Sequence, residues 1–243
     1  MTPEQLTEQL KRALPDGLRA VVLYGSAAAG DHVAGRSDYN VLIVADRLGL
    51  AELDALAAPA RAWAKAGHRP PLLFTPKQLA ASADSFPIEI LDIQQSHKLL
   101  FGEDPLAGVA VDPEHVRLEL ERELKAKLLH LRESYLLAAG RAGRVLGLLT
   151  ASLSSFLVLF RAALRLYQAD VPTQKLDAAR ALAAHISFDP QVFLTVQELK
   201  AGRLKPRDVA ARELAEDYFR TIEQVIDTVD RRLHSKESSN VEG

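Results

Sequence analysis

The stretch VVLYGSAAAGDHVAGRSDYNVLIVAD, residues 21–46, decides the fold of this chain. It contains two short apolar runs, Val21–Tyr24 and Val41–Val44, separated by small and polar residues. The first run ends at Gly25-Ser26, and Ser37-Asp38-Tyr39-Asn40 leads into the second. Short apolar runs bounded by glycine and polar residues are typical of buried strands. The pattern therefore predicts a strand, a turn into a short helix, a polar loop and a second strand.

The residues after the first predicted strand are typical of a turn that binds phosphate. Glycine lets a backbone approach a ligand closely, as Gly25 and Gly30 would here. Free N–H groups at the start of a helix attract phosphate. A Gly-Ser pair is also common as an ordinary strand-to-helix turn in which the serine caps the helix. Both interpretations of Gly25-Ser26 stay open at this point.

These residues resemble the signature of the nucleotidyltransferase superfamily related to DNA polymerase beta, which includes the aminoglycoside nucleotidyltransferases. That signature is Gly-Ser after the first strand, a spacer, and Asp-x-Asp at the start of the second strand. Gly25-Ser26, Gly30 and Ser37-Asp38 match it in kind and spacing, whereas Asn40 occupies the place of the second acid. The resemblance covers roughly residues 15 to 105. It implies an α+β fold with a mixed sheet and flanking helices.

The resemblance also implies a site for Mg²⁺ with a nucleoside triphosphate. Residues i and i+2 of a strand point to one face, so two carboxylates there, with a third from a neighbouring strand, can hold two metal ions. On this basis Asp38 is the candidate metal ligand, and Asp38 and Asn40 occupy catalytic positions. The candidate nucleotide-binding residues are Gly25, Ser26, Gly30, Arg36 and Ser37.

Two of the three expected carboxylates are missing. Asn40 is neutral, and the predicted third strand, Pro71–Phe74, carries no acid. One carboxylate suffices for Mg²⁺ when nucleotide phosphates supply other ligands, but it does not make a two-metal site. Glu89 is the best substitute, because a fourth strand predicted at Phe86–Ile93 could lie beside the site. It is a candidate catalytic base or simply a solvated acid.

Strand and helix patterns alternate up to about residue 105, and only helical patterns follow. We expect an N-terminal helix that begins near Pro3, a helix over 50–66 that Pro59 kinks or splits, and a short strand at Lys98–Phe101. The last long helix is predicted to end at Leu233. The predicted domains are a nucleotidyltransferase-like α/β domain at 1–108, an all-helical bundle domain at 109–234, and a disordered tail at 235–243.

The composition narrows the possible cellular locations and binding partners of the protein. The 243 residues carry a formal net charge of −2, so no basic field indicates a nucleic-acid surface. There is no cysteine, which fits a reducing compartment. The longest apolar stretch, Val145–Phe160, is interrupted by serine and threonine and is too short to span a bilayer. The N-terminus lacks the uninterrupted apolar run of a signal peptide. We expect a cytoplasmic protein that does not bind a membrane.

Two functional hypotheses follow from the resemblance. The first is a nucleotide-binding protein with weak or lost transfer activity that acts as a sensor or interaction module. The second is an active Mg²⁺-dependent enzyme that moves a nucleoside monophosphate to a hydroxyl of a small molecule or protein. In both, the helical domain would hold the acceptor or build a homodimer.

A third, remote hypothesis concerns the helical half. Small nucleotidyltransferases are often paired with a helical HEPN domain, which in toxin–antitoxin systems has RNase members. Those members carry an arginine followed by a histidine after four to six residues, and Arg180 and His185 fit this spacing. The same spacing arises by chance in a chain this rich in arginine.

Overall fold

The computed structural model describes residues 1–28 and 39–239, without the side chains of Ser26 and of residues 232–239. The chain divides into two compact units, Met1–Asp112 and Pro113–Gly243. The two units are defined by contacts within the chain. Whether each folds as an independent domain is not tested by these contacts, so the predicted domain boundaries stay a prediction.

The first unit alternates helices and strands. In chain order its elements are α1 (Pro3–Ala13), β1 (Leu18–Tyr24), β2 (Asn40–Ala45), α2 (Leu50–Lys65), β3 (Leu72–Phe74), α3 (Pro76–Ala81), α4 (Pro87–Gln95) and β4 (His97–Gly102). A 3-10 turn, Gly25–Ala27, follows β1. The predicted pair of strands at the two ends of the 21–46 stretch is therefore present.

The four strands form one mixed sheet in the order β3-β2-β1-β4. β1 is antiparallel to both of its neighbours, β2 and β4, whereas β3 runs parallel to β2. Together with the flanking helices, this sheet confirms the predicted α+β fold.

Side chains alternate between the two faces of the sheet, and each face has its own core. On one face Val21, Leu23 and Ile43 pack against α1 and α2, where Trp63 is fully buried. On the other face Ala20 and Val22 of β1, with Leu42 and Val44 of β2, pack against α3 and α4. This second core contains Ala20, Val22, Leu42, Val44, Leu79, Ile90, Ile93 and Leu106. The sheet is covered by helices on both sides.

The prediction of a strand at Phe86–Ile93 is wrong, because Pro87–Gln95 forms helix α4. Pro87 stands in the first helical turn, where its missing N–H leaves no hydrogen bond unmade. Ile90 and Ile93 are three residues apart, so a helix turns both toward the sheet. A short apolar run does not by itself distinguish a buried helix from a strand. The fourth strand is β4, where we expected only the short segment Lys98–Phe101.

Helix α2 runs without interruption from Leu50 to Lys65, so Pro59 does not split it in two. Pro59 lies in the third turn and is buried. Packing against the rest of the unit thus compensates for the backbone hydrogen bond that a proline removes.

The second unit is helical over the residues that the structure describes. It contains α5 (Pro113–Ala138), α6 (Ala142–Arg165), α7 (Lys175–Ala183), α8 (Gln191–Lys200) and α9 (Ala211–Ser239). Helix α6 packs against the four others. Helix α9 continues past its predicted end at Leu233, into the segment that we expected to be a disordered tail.

Helix α6 is 24 residues long and, by length and hydropathy alone, could cross a membrane, contrary to our expectation from the sequence. Half of its most apolar window is buried inside the protein. A core helix of a bundle meets the same criteria, so α6 carries little weight as evidence for a membrane span.

Candidate functional site

The Gly-Ser turn begins where the central strand β1 ends. Gly25 has a φ of 78°, a left-handed conformation that glycine adopts easily. Its N–H donates a hydrogen bond of 2.9 Å to the carbonyl oxygen of Ser96, just before β4, and its own carbonyl accepts one from the N–H of Ala28 at 3.0 Å. The start of the turn is therefore fixed from two sides.

Asn40 lies directly beside this turn. It is the first residue of β2 and pairs with Tyr24, the last residue of β1. The Nδ2 atom of Asn40 is 3.1 Å from the place where a Cβ on Gly25 would stand. The structure thus brings together the glycine of the turn and the residue at the position of the second acid.

Both Asn40 and Tyr24 lie on the sheet face that α4 covers. Tyr24 packs against the core of that face. Asn40 precedes Leu42 by two residues on β2, and alternation along a strand places the two on the same face. This face, at the end of β1 where the turn begins, is the candidate site.

Two charged residues act on Tyr24 at this end of the sheet. Burial raises the pKa of the Tyr24 hydroxyl, the positive charge of Arg69 lowers it, and the negative charge of Glu89 raises it. Glu89 lies in the first turn of α4, where it is exposed. Its charge therefore acts on Tyr24 from a helix and not from the predicted strand, and its part in a site stays a prediction.

Arg69 was not among the residues that the sequence indicated for the site. It stands three residues before β3, which pairs in parallel with β2 through Leu42 and Leu72. Continuing that register back along both strands places Pro70 beside Asn40. The expected third acid would belong here, and neither Arg69 nor Pro70 can supply a carboxylate. The only sequence signal for Arg69 was its place just before an apolar run.

Several candidate residues lie outside the described residues, namely Gly30, Arg36, Ser37 and Asp38. The backbone of Ser26 belongs to the 3-10 turn, but its side chain is outside the description. Within residues 1–28 and 39–239, no three His, Cys, Asp or Glu side chains lie close enough together to hold a metal ion. The described part of the candidate site consists of Gly25, Tyr24 and Asn40, and the charges of Arg69 and Glu89 act on Tyr24 there.

The helical unit contains a cavity of about 650 Å³ at the start of α8 and along α9. Phe188 and Leu214 give it apolar walls, and Asp189, Asp217 and Arg220 give it charge. Arg220 NH2 is 2.9 Å from Asp217 Oδ1. A cavity of this size and mixed polarity suits a small polar molecule.

Arg180 and His185, the pair that the RNase hypothesis requires, each contact other residues. Arg180 donates a hydrogen bond of 2.7 Å to Asp177. His185 lies beyond the end of α7, where its ring stacks on Tyr167 and its Nε2 is 3.1 Å from Gln168 Oε1. The two side chains therefore have different partners.

The mixed sheet, the Gly-Ser turn against the start of β2, and the helices that follow define a nucleotidyltransferase-like fold. Ten solved chains match the structure. One is the crystal structure of spectinomycin adenyltransferase AAD(9) from Enterococcus faecialis with ATP and spectinomycin, with a TM-score of 0.56 over 92% of this chain and 98% of that chain. The sequences are 12% identical, so the likeness shows the fold alone. No family model matches the sequence, and no curated protein matches it either.

Proposed function

We propose that this chain binds a nucleotide at the Gly-Ser turn and has weak or lost nucleotidyl-transfer activity, so that it serves as a nucleotide sensor or interaction module. One observation carries the proposal. Asn40 lies against Gly25, at the position where the resembling enzymes place a second carboxylate.

Electrostatics favour binding over turnover at such a site. An asparagine offers a neutral carbonyl oxygen, so the site has one negative charge fewer than an Asp-x-Asp pair. Hard cations prefer carboxylate oxygens, and two-metal transfer needs several of them. Asp38 and the phosphates of a bound nucleotide could hold one Mg²⁺, which would support binding without placing a second metal on the attacking hydroxyl.

The nucleotide phosphates would be held by Gly25, Ser26, Gly30, Arg36 and Ser37 in this proposal. The N–H groups of the turn would contact them, and the positive charge of Arg69 near the same end of the sheet adds attraction. The AAD(9) structure contains ATP, so a protein of this fold accommodates a nucleoside triphosphate. We further propose a cytoplasmic location, which fits a chain without cysteine.

A second candidate function is an active Mg²⁺-dependent nucleotidyltransferase with Asp38 as metal ligand and Glu89 as general base. The negative charge of Glu89, which acts on Tyr24 at the end of β1, favours this candidate. The acceptor would be a hydroxyl of a small molecule or protein. The cavity in the helical unit could hold a small acceptor, and the AAD(9) structure contains spectinomycin. No specific observation favours the RNase hypothesis.

Calorimetry with ATP, GTP, CTP and UTP, with and without Mg²⁺, tests the first proposal alongside an assay for pyrophosphate release. We expect binding of at least one nucleotide without measurable release. Asn40→Asp should strengthen binding in Mg²⁺ by about tenfold, because a hard ligand is restored. Gln9→Glu, which adds the same charge at an exposed position of α1, is the control and should leave nucleotide binding unchanged.

Two outcomes contradict the first proposal. Pyrophosphate release by the natural sequence, abolished by Glu89→Gln, would establish the second candidate. Failure to bind any of the four nucleotides, with or without metal, would remove both candidates.

A further inference from the structure

Helix α5 carries an exposed stripe of mixed character, which we name the α5 stripe. It consists of Leu118, Arg122, Ala126, Leu129, Glu133 and Leu137. Its leucines are far from buried, with exposed fractions of 50% for Leu118, 58% for Leu129 and 79% for Leu137. Single exposed leucines are ordinary on a protein surface, so the stripe indicates an interaction site only through the arrangement of its leucines and charges along the helix.

The α5 stripe lies opposite the buried face of the helix. At about 100° per residue its six members fall in a sector about 100° wide, and Leu136, 77% exposed, adds to its apolar end at the same angle as Leu118. The buried face, formed by residues such as Leu120, Leu124 and Leu131, is centred on the other side. Helices α6 and α9 pack on α5, and they leave the stripe exposed.

The cations that flank the stripe are already paired inside the helical unit. Lys125 Nζ is 2.9 Å from Asp230, and Arg132 NH2 is 2.7 Å from Glu223, both acids belonging to α9. The charges of the stripe itself are Arg122 and Glu133, whose side chains are 72% and 74% exposed. Their contacts are with neighbours on α5, so both remain accessible to a partner.

The order of residues along the stripe is self-complementary. When a second α5 lies antiparallel, with the two-fold axis between positions 127 and 128, Leu118 faces Leu137, Arg122 faces Glu133, and Ala126 faces Leu129. Each pairing occurs twice, as two-fold symmetry requires. Leucine thus meets leucine at both ends, opposite charges meet further in, and the small alanine accommodates a leucine near the axis.

We propose that the α5 stripe is a homodimer interface, occupied by the α5 stripe of a second copy of this chain in antiparallel orientation. A parallel pair would place Arg122 near Arg122 and Glu133 near Glu133, and such like-charge contacts disfavour it. One helix pair buries little area compared with a standard interface, so the dimer is weak, with dissociation in the micromolar range.

Sedimentation equilibrium of the full chain across the micromolar range measures this association. The natural sequence is expected to pass from monomer to dimer as concentration rises. Leu129→Arg should keep it monomeric throughout, and because Leu129 is exposed the substitution leaves the helical unit folded, which circular dichroism checks. A natural chain that stays monomeric, or that forms the same dimer with Leu129→Arg, overturns the proposal.

Charge reversal tests the pairing of Arg122 with Glu133. Arg122→Glu and Glu133→Arg should each raise the dissociation constant by about tenfold, because each places like charges opposite one another. The double variant restores opposite charges and should return the constant to that of the natural sequence. Arg212→Glu, an equal charge change at an exposed position of α9, is the control. A double variant that dimerises as weakly as the single variants overturns the pairing of Arg122 with Glu133.

The absence of cysteine makes orientation directly testable by disulfide trapping. Leu118→Cys and Leu137→Cys are prepared as separate variants and exposed to a mild oxidant. The antiparallel pairing predicts cross-linked dimer in the mixture of the two and little in either alone. Cross-linking of each variant alone, as efficient as in the mixture, would indicate a parallel pair and overturn the proposal.

Discussion

Gly25 and Asn40 constrain one another. The backbone of Gly25 has a φ of 78°, and the amide of Asn40 stands 3.1 Å from where a side chain would begin. Glycine here therefore satisfies both a left-handed turn and the close approach of β2. A change at either residue is expected to move the other.

Gly25→Ala should lower the free energy of unfolding by about 1–3 kcal/mol, because an alanine is strained at this φ. It should also weaken nucleotide binding, since the added methyl displaces the amide of Asn40. Urea denaturation and calorimetry measure the two effects. Gly147→Ala is the control, because this helical glycine has open space around it and should gain up to about 1 kcal/mol. If Gly25→Ala and the natural chain had equal free energies of unfolding, the predicted backbone strain at residue 25 would be contradicted.

At the scale of single residues, the sequence predicted that Gly25 and Asn40 end and begin neighbouring strands, and the structure places them side by side. Gly25 and Asn40 were identified because they flank two strands at a recognisable spacing. Arg69 was missed because it lies before β3, whose parallel pairing with β2 joins segments about thirty residues apart and is not readable from either segment alone. The strand predicted for Glu89 was wrong, since this residue lies on helix α4, and its role as a base stays a prediction.

At the scale of secondary-structure elements, helices α6 and α9 pack together around Tyr218, which is fully buried. Its hydroxyl is 3.1 Å from Ser152 Oγ, and its ring packs edge-on against Phe156. Of the serines on α6, Ser152 thus serves helix packing, while Ser154 accepts a hydrogen bond from Lys200 at 2.8 Å. The pKa of the Tyr218 hydroxyl is raised by burial, and the hydrogen bond to Ser152 opposes the rise only in part.

The raised pKa of Tyr218 makes stability depend on alkaline pH. An unfolded tyrosine releases its proton near pH 10, whereas Tyr218 in the folded chain retains it. The buried, protonated Tyr218 therefore makes its full contribution to the free energy of unfolding below about pH 10. That contribution is lost as the pH rises above 10. Tyr218→Phe removes this loss, so the decline of unfolding free energy above pH 10 should become shallower by up to about 1.4 kcal/mol per pH unit. Urea denaturation at pH 8 to 11 measures the slope.

Ser152→Ala is the control for this pH effect. It removes the hydrogen bond but keeps the ionisable phenol, so the chain should lose about 1 kcal/mol at neutral pH and retain the steep alkaline decline. A slope for Tyr218→Phe as steep as that of the natural chain would contradict the role of Tyr218.

At the scale of the whole molecule, the sequence predicted an α+β region followed by helices, and the fold confirms that order. Periodicity identified the long helices because their apolar stripes extend over many turns. It could not determine how the strands pair, since the order β3-β2-β1-β4 depends on contacts between distant segments. The predicted domain boundaries require an experiment of their own.

Residues 1–112 and 113–243, expressed separately, should each unfold cooperatively. The reason is that each unit has its own buried core, on both faces of the sheet in the first and around Phe156, Phe160 and Phe193 in the second. Circular dichroism during urea denaturation of each piece measures this, with the full chain as control. A piece that lacks a cooperative transition would show that the two units are not independent domains.

The position of β1 in the sheet affects how the chain emerges from the ribosome. β1 is synthesised before every other strand, yet it lies in the interior between β2 and β4, and β4 ends at Gly102. At about 5–20 residues per second, the ribosome needs roughly 4–15 s to synthesise the chain from the end of β1 to the end of β4. During that interval the edge of β1 that pairs with β4 in the folded sheet has no partner, and such an edge can pair with the strand of another newly made chain.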